Sequence, residues 1–296
     1  MRSKVGVVAS LVICGTFAVS ASLLGQAQAP AGNGRQGGAG AQGGARQGGA
    51  GTTDPLGGVG ALGQSVKRPP APTGPVPRLP DGGVDLSGLW VGGGPTGDIE
   101  REGGLKPGAL DAIMTPAAKK IYASRKEEDN PHYQCLPMGI PRSTPYPFRM
   151  VQTPTHKKAT HLFILQEGNI HSYRQVFMDG RKHPAELDPT WWGHSIGRWE
   201  GDTLVIDTVG FNDKSWFDNK GHPHTEQLHT IERWTRVDEG HMNVEVTMED
   251  PGAYTQPFTV RFTARLTGLP GDELMEYICQ ENNQYGIAQG YKPSDK

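Results

Sequence analysis

Residues 227–266 read QLHTIERWTRVDEGHMNVEVTMEDPGAYTQPFTVRFTARL, and this stretch decides the fold. From Met242 to Met248 apolar and polar residues alternate. Met242, Val244, Val246 and Met248 share one face, which is the period-two signature of a half-buried strand. Phe258, Val260, Phe262, Ala264 and Leu266 repeat it, and Gln227–Val237 forms a third run closed by Asp238-Glu239-Gly240. Upstream, His161–Gln166 ends at Gly168-Asn169, and Ile170–Met178 ends at Asp179-Gly180, a hairpin signal. Ser195–Trp199 turns through Glu200-Gly201-Asp202 into Thr203–Val209. Short strands are also expected at Asp85–Val91 and Glu273–Gln280. One helix is expected after Thr115, a good N-cap, with Pro116 in the first helical position. Cys135–Pro147 is proline-rich and reads as an ordered loop. Evenly spaced short strands with turn residues between them predict an all-β, antiparallel barrel or clam over residues 85–296, in up-and-down order, with one short helix and long loops.

The N-terminal third is different in kind. Arg2 and Lys4 precede the apolar run Val5–Leu24 and the small residues up to Ala29, so residues 1–29 read as a signal peptide. Residues 30–84, rich first in Gly, Ala and Gln and then in Pro, read as a disordered tether that cannot bury enough apolar surface to order itself. Signal removal leaves Cys135 and Cys279, an even pair in an exported chain, which favours a disulfide. Periplasmic or extracellular localisation follows, with no membrane span after signal cleavage. The formal net charge is −2 and no Lys/Arg stripe is present, which argues against a nucleic-acid partner.

Four groups of residues invite a chemical reading. Gly193-His194-Ser195-Ile196-Gly197 fits the Gly-x-Ser-x-Gly elbow of serine hydrolases, followed in order by Asp207 and His229. That elbow requires a strand before and a helix after, and here a Trp-Trp loop precedes and a hairpin follows. His222-Pro223-His224-Thr225-Glu226 is the densest run of ligand-type residues. In extended chain His222, His224 and Glu226 share a face and would converge on zinc or another divalent metal. The alternative is a polar loop whose histidines bond the backbone. No cofactor is otherwise implied. Trp191, Trp192, Trp199, Trp216 and Trp234 would stack on a sugar or flat ligand if exposed, or fill the barrel if buried. Inside the strands, Glu226, Thr230 and Glu232 share one parity, as do Asn243, Glu245, Thr247 and Glu249; one of these faces is outside, and carboxylates on the other, if it faces a lumen, would be acid/base candidates.

Gly88-Leu89-Trp90 resembles the Gly-x-Trp signature on the first strand of lipocalin-like (calycin) barrels, which implies a Trp closing the barrel floor. Leu187-Asp188-Pro189-Thr190-Trp191, Gly193–Val205, Gly210-Phe211-Asn212-Asp213 and His222-Pro223-His224 resemble a family of uncharacterised exported bacterial proteins. Cys135-Leu136-Pro137 and Tyr277–Asn282 belong to the same pattern. The resemblance implies export and the two cysteines, and transfers no mechanism. The function expected is binding, or simple acid/base conversion, of a small apolar or aromatic molecule in the barrel mouth. His194, His222 and His224 would be catalytic, and Asn212, Asp213, Trp191, Trp192 and Trp216 would hold the ligand. A metal-dependent enzyme using His222, His224 and Glu226 is the second expectation. A tethered envelope or carbohydrate-binding module is the third.

Overall fold

In the computed structural model, residues 69–144, 146–155, 158–168, 172–267, 273–276, 278 and 279 are described. The expected signal peptide and most of the expected tether lie outside them. Among the described residues nine strands close into a barrel: β1 (Leu89–Val91), β2 (Phe148–Thr155), β3 (Lys158–Gln166), β4 (Tyr173–Phe177), β5 (His194–Glu200), β6 (Thr203–Val209), β7 (His229–Arg236), β8 (His241–Glu249) and β9 (Phe258–Leu266). The all-β barrel is as expected, and each strand neighbours the next. Between β4 and β5, however, the pairing is parallel, with only Val176↔Ser195 and Phe177↔Ile196 in register. Parallel neighbours need a return connection. Residues 178–193 supply it, so the order is not a pure up-and-down meander.

The β2 strand was hidden in the sequence by the prolines around it, and Pro154 sits at a register shift where a ladder donor is not needed. Residues 273–276, 278 and 279 are not in a strand, which corrects the expected run Glu273–Gln280. β1 already pairs with both β2 and β9, so no sheet edge remains for a tenth strand. Helix α1 (Ile99–Glu102) and helix α2 (Ala109–Ile113) were not anticipated, while α3 (Pro116–Ser124) starts where expected, the Thr115 hydroxyl accepting from the Ala118 N–H at 3.2 Å. Among the described residues no helix is long and apolar enough to cross a membrane.

Alternation settles which face is inside. Thr230, Glu232, Trp234 and Arg236 of β7 point inward, as do Met242, Val244, Val246 and Met248 of β8. One end of the barrel is closed by the three helices and by loop 210–228, where Phe217 packs on Tyr254 and Phe258. At the other end Trp90 is fully buried, donates to the Leu86 carbonyl at 3.0 Å and lies under the Arg236 guanidinium, 4.9 Å from the ring. Residues 69–86 wrap that end. Glu239 N–H donates to Gly74 O, Arg78 pairs with Asp202 of the β5–β6 turn at 2.6 Å, and Ala71, Val84 and Leu86 are buried. Packing therefore starts at about Ala71, ahead of Asp85. A proline-rich segment has little conformational freedom to lose on docking.

Cys135 and Cys279 form a disulfide, with Cα atoms 5.6 Å apart and a sequence separation of 144. A bridge of that span stabilises by about 5 kcal/mol in the chain-entropy description.

Inside the wall, Arg174 of β4 reaches across the short parallel seam. Its Nε donates to Ser195 Oγ of β5 at 3.0 Å, Nη2 to Thr208 Oγ1 of β6 at 2.7 Å, and Nη1 and Nη2 to the Glu232 carboxylate of β7 at 3.0 and 2.5 Å. Arg174 and Glu232 are 3% and 1% exposed. Two expectations follow. Glu232→Ala strands the buried guanidinium and should cost about 3–5 kcal/mol in urea unfolding, most of it recovered when Arg174→Met is added. Truncation before Asp85, compared with truncation before Pro69, should lower the melting temperature by roughly 5 °C, since burying Val84 alone contributes about 2 kcal/mol.

Candidate functional site

The site grows from the same seam. Because β4 and β5 pair over so few residues, the lead-in to β5 diverges from β4 and leaves a notch. A cleft of about 340 Å³ opens there, lined by Tyr173, Arg174, Gln175, Phe177, Leu187, Asp188, Thr190, Trp192, Gly193, His194, Ser195 and Gly210. Alternation along β5 puts Ser195 on the inner face and His194 on the outer, so the cleft edge borders both. Gly193 is obligatory: its φ is +65°, and a Cβ would come within 2.7 Å of the Val209 carbonyl oxygen.

On the outer wall a chain of side chains runs away from the cleft. His194 Nδ1 lies 2.8 Å from His183 Nδ1, and His183 Nε2 lies 3.1 Å from Asp207 Oδ1. Asp207 Oδ1 also takes His229 Nε2 at 2.9 Å, and His229 Nδ1 meets Glu249 Oε2 at 3.1 Å. His194 stacks on Phe177, with centroids 5.1 Å apart, and its Nε2 makes no hydrogen bond within the described residues. Burial, followed by the neighbouring His183 and Arg181, holds the His194 pKa below the ordinary histidine value.

The cleft continues onto an aromatic stripe across β3 and β4. His161 stacks on Phe163 at 5.9 Å and packs against Phe177 at 5.4 Å, while Phe163 meets Tyr173 at 6.1 Å. Tyr173 is 60% exposed.

Of the residues singled out in the sequence, His194 and Trp192 come together in this cleft. The His-Pro-His group goes elsewhere. His222 is buried, stacks on Tyr122 at 4.7 Å and bonds the Asp218 carboxylate at 2.6 Å through Nδ1. Asp218, with no exposed surface, also accepts from the N–H groups of Ile99, Gly221 and His222. It therefore organises the loop. His224 is buried, with Nε2 2.7 Å from Ser215 Oγ. Glu226 is exposed, so the three expected ligands do not converge. Among the described residues no group of three or more His, Cys, Asp or Glu is placed to hold a metal ion. Among the described residues neither buried histidine hydrogen-bonds directly to Asn212, Asp213 or His194. Asn212 is buried and caps its own turn through Lys214 N–H, Asp213 is exposed, and Trp216 is covered by Arg125, 4.8 Å above its ring. Trp191 is half-buried outside the cleft lining. Sequence reasoning missed His183 and the partnership of Asp207 and Glu249 with His229. Asp207, His229 and Glu249 are outward positions on adjacent strands, and only the strand register reveals that they meet.

No known family, curated protein or solved structure matches the chain, so fold and site together define its class: a disulfide-bonded β-barrel with a lateral cleft and a histidine–carboxylate chain beside it.

The buried loop predicts a pH effect of its own. Desolvation lowers the His224 pKa to about 4 from 6.5. A histidine depressed on folding contributes stability that is full above pH 6.5 and is lost as pH falls toward 4. Unfolding free energy measured by urea at pH 7 and pH 4 should drop by about 3 kcal/mol more in the unaltered protein than in His224→Gln. Equal drops would sink this assignment.

Proposed function

We propose that this is an exported protein that binds a small, largely apolar or aromatic molecule in the β4–β5 cleft and carries out acid/base conversion on it, with His194 as the base. The observation that supports this most is the placement of His194: an imidazole on an apolar wall, tied through Nδ1 and left with Nε2 unbonded beside a cavity. A general base needs a lone pair within hydrogen-bond reach of the substrate and a partner that fixes its ring. A depressed pKa keeps such a base neutral at and somewhat below pH 7.

The ligand's chemistry follows from the lining. Tyr173, Phe177, Leu187 and Trp192 supply flat apolar area, and edge-to-face or offset contacts with such rings favour an aromatic ligand. Arg174 is already matched by Glu232, so the lining offers no unspent cation and favours a neutral molecule over an anion. Export is supported by the Cys135–Cys279 bridge, which needs an oxidising compartment, by the signal-like N-terminus and by the exported family the sequence resembles. Trp90 at one barrel end suits the lipocalin-like reading.

A second reading, a binding module without turnover, is favoured by the aromatic stripe of half-buried Phe163 and Phe177 and exposed Tyr173. Trp216 and Trp234 do not contribute to it, since both are buried.

The two readings separate in one experiment. Neutral aryl carbonyl compounds are incubated with the protein in D₂O and deuterium uptake next to the carbonyl is followed by mass spectrometry. Acid/base conversion predicts uptake that falls about 10²- to 10⁴-fold in His194→Gln, while stability changes by less than about 1 kcal/mol. Trp192→Ala should weaken binding with a smaller effect on turnover of bound substrate. Binding without uptake in the unaltered protein selects the module reading, and indifference of both to His194 and Trp192 removes the cleft as the site.

A further inference from the structure

The hydrogen bonds beside the cleft have only a few consistent proton arrangements. Asp207 as a carboxylate can only accept, so His183 and His229 both present Nε2–H to its Oδ1. His229 bridges Asp207 to Glu249, with Nδ1 3.1 Å from Glu249 Oε2. His183, with its hydrogen on Nε2, is left with a lone pair at Nδ1. That lone pair is what faces His194 Nδ1 at 2.8 Å, so His194 must donate there. Its Nε2 is consequently bare. One carboxylate two residues removed thus dictates the tautomer of the imidazole at the cavity.

We propose that His183 and Asp207 are positioning residues that make His194 a reversible proton switch, with the charge it acquires parked on His183, outside the cleft. The proposal rests on the reading of His194 as the base and adds its regulation. When His194 Nε2 takes a proton from a substrate X–H bond, the bonding pair stays on the substrate. The His194 Nδ1–H bond breaks as a His183 Nδ1–H bond forms. His194 is neutral again, now as the Nε2–H tautomer, and the imidazolium is His183 beside Asp207. Returning the Nε2 proton to another atom of the same substrate reverses both shifts, so protons balance and no co-reactant is required. An apolar cleft is a poor place for a cation, and this couple moves the cation to a carboxylate.

The groups around the couple agree with this division of labour. On the cleft side His194 stacks on Phe177 in a lining that also includes Trp192 and Asp188, with Arg181 nearby, whose guanidinium stacks 3.9 Å from the Phe177 ring and pairs with Asp179. On the far side, among the described residues, His183 hydrogen-bonds Asp207 besides His194. Asp207 is shared with His229, so the His229–Glu249 arm sets how much of its charge is available to His183.

The test is nuclear magnetic resonance of the full chain labelled with ¹⁵N-histidine, with His194 assigned through His194→Gln. In the unaltered protein at pH 8, two-bond ¹H–¹⁵N spectra should show His194 protonated at Nδ1 and bare at Nε2. Asp207→Ala removes the acceptor, frees His183 and should return His194 toward Nε2–H, the form an unconstrained imidazole prefers. Asp207→Asn keeps an acceptor and should keep the tautomer, but without the negative charge the couple should take up its extra proton only at lower pH. Glu249→Gln should leave the His194 tautomer unchanged. If Asp207→Ala does not fold, His183→Ala gives the same reading. The proposal is overturned if His194 carries its hydrogen on Nε2 in the unaltered protein, or if Asp207→Ala leaves it on Nδ1. These spectra need no substrate, so they can fail while deuterium uptake succeeds, and the reverse.

Discussion

The barrel depends on one buried guanidinium. A parallel join of two residue pairs, Val176↔Ser195 and Phe177↔Ile196, is too short to hold β4 and β5 together by its ladder alone. Arg174 spans the weakness from within, bonding β5, β6 and β7 in turn through Ser195, Thr208 and Glu232. Guanidinium suits this task because its donors lie in one plane and fan outward, so one side chain can serve three strands. A buried ion pair is a doubtful source of net stability, since desolvation offsets most of the attraction. Its value here is specificity: the only matched position for the Arg174 charge is the one that sets β4 against the β5–β7 wall.

The cleft is the outer consequence of the same arrangement. With the seam held from inside, β4 and the β5 lead-in can separate outside without opening the core. The alternation of β5 then assigns chemistry to faces. Ser195 points in and serves Arg174, while His194, one residue earlier, points out and serves the cavity. This also disposes of the serine-elbow reading. Ser195 is buried and spends its hydroxyl on Arg174 Nε and Thr208 Oγ1, so it is not poised as a nucleophile for His194 or His229. A shift of β5 by one residue would turn His194 inward and Ser195 outward, leaving the cleft without its imidazole. Register is therefore a functional constraint here as well as a structural one.

The barrel itself was legible because its message is local. Met242–Met248 and Phe258–Leu266 carry their period in consecutive residues, and Thr115-Pro116 states a helix start in two. The cysteine pair was legible from compartment and parity. What escaped was everything that depends on which strand lies beside which. Nothing in the sequence around Tyr173 or His194 says that two adjacent strands will run parallel. Asp207, His229 and Glu249 lie 20 or more positions apart and meet only because β6, β7 and β8 are neighbours in register. Val84 and Ala71 escaped for another reason. Composition says that such a segment cannot form a core, and it does not; it borrows one, docking on turns that the barrel has already built.

The histidines show how far residue type is from role. His222 and His224 stand out in the sequence because they flank Pro223 and sit among polar residues, yet both are spent on packing. Asp218 gathers His222 Nδ1 and three backbone N–H groups, and His224 lies between the Ser215 hydroxyl and the Thr225 carbonyl, so both imidazoles serve a loop that covers one barrel end. Burial depresses the His224 pKa and makes that residue a cost at low pH. His183, His194 and His229 are scattered in sequence and only half-buried on the wall. There a carboxylate can reach them and solvent can exchange their protons, while the last imidazole of the chain still touches an apolar cavity. Density of ligand-type residues along a chain measures local polarity. Acid/base capacity requires an imidazole that is oriented by one neighbour, unspent at its other nitrogen and open to a substrate, and among the histidines of this barrel His194 meets those conditions.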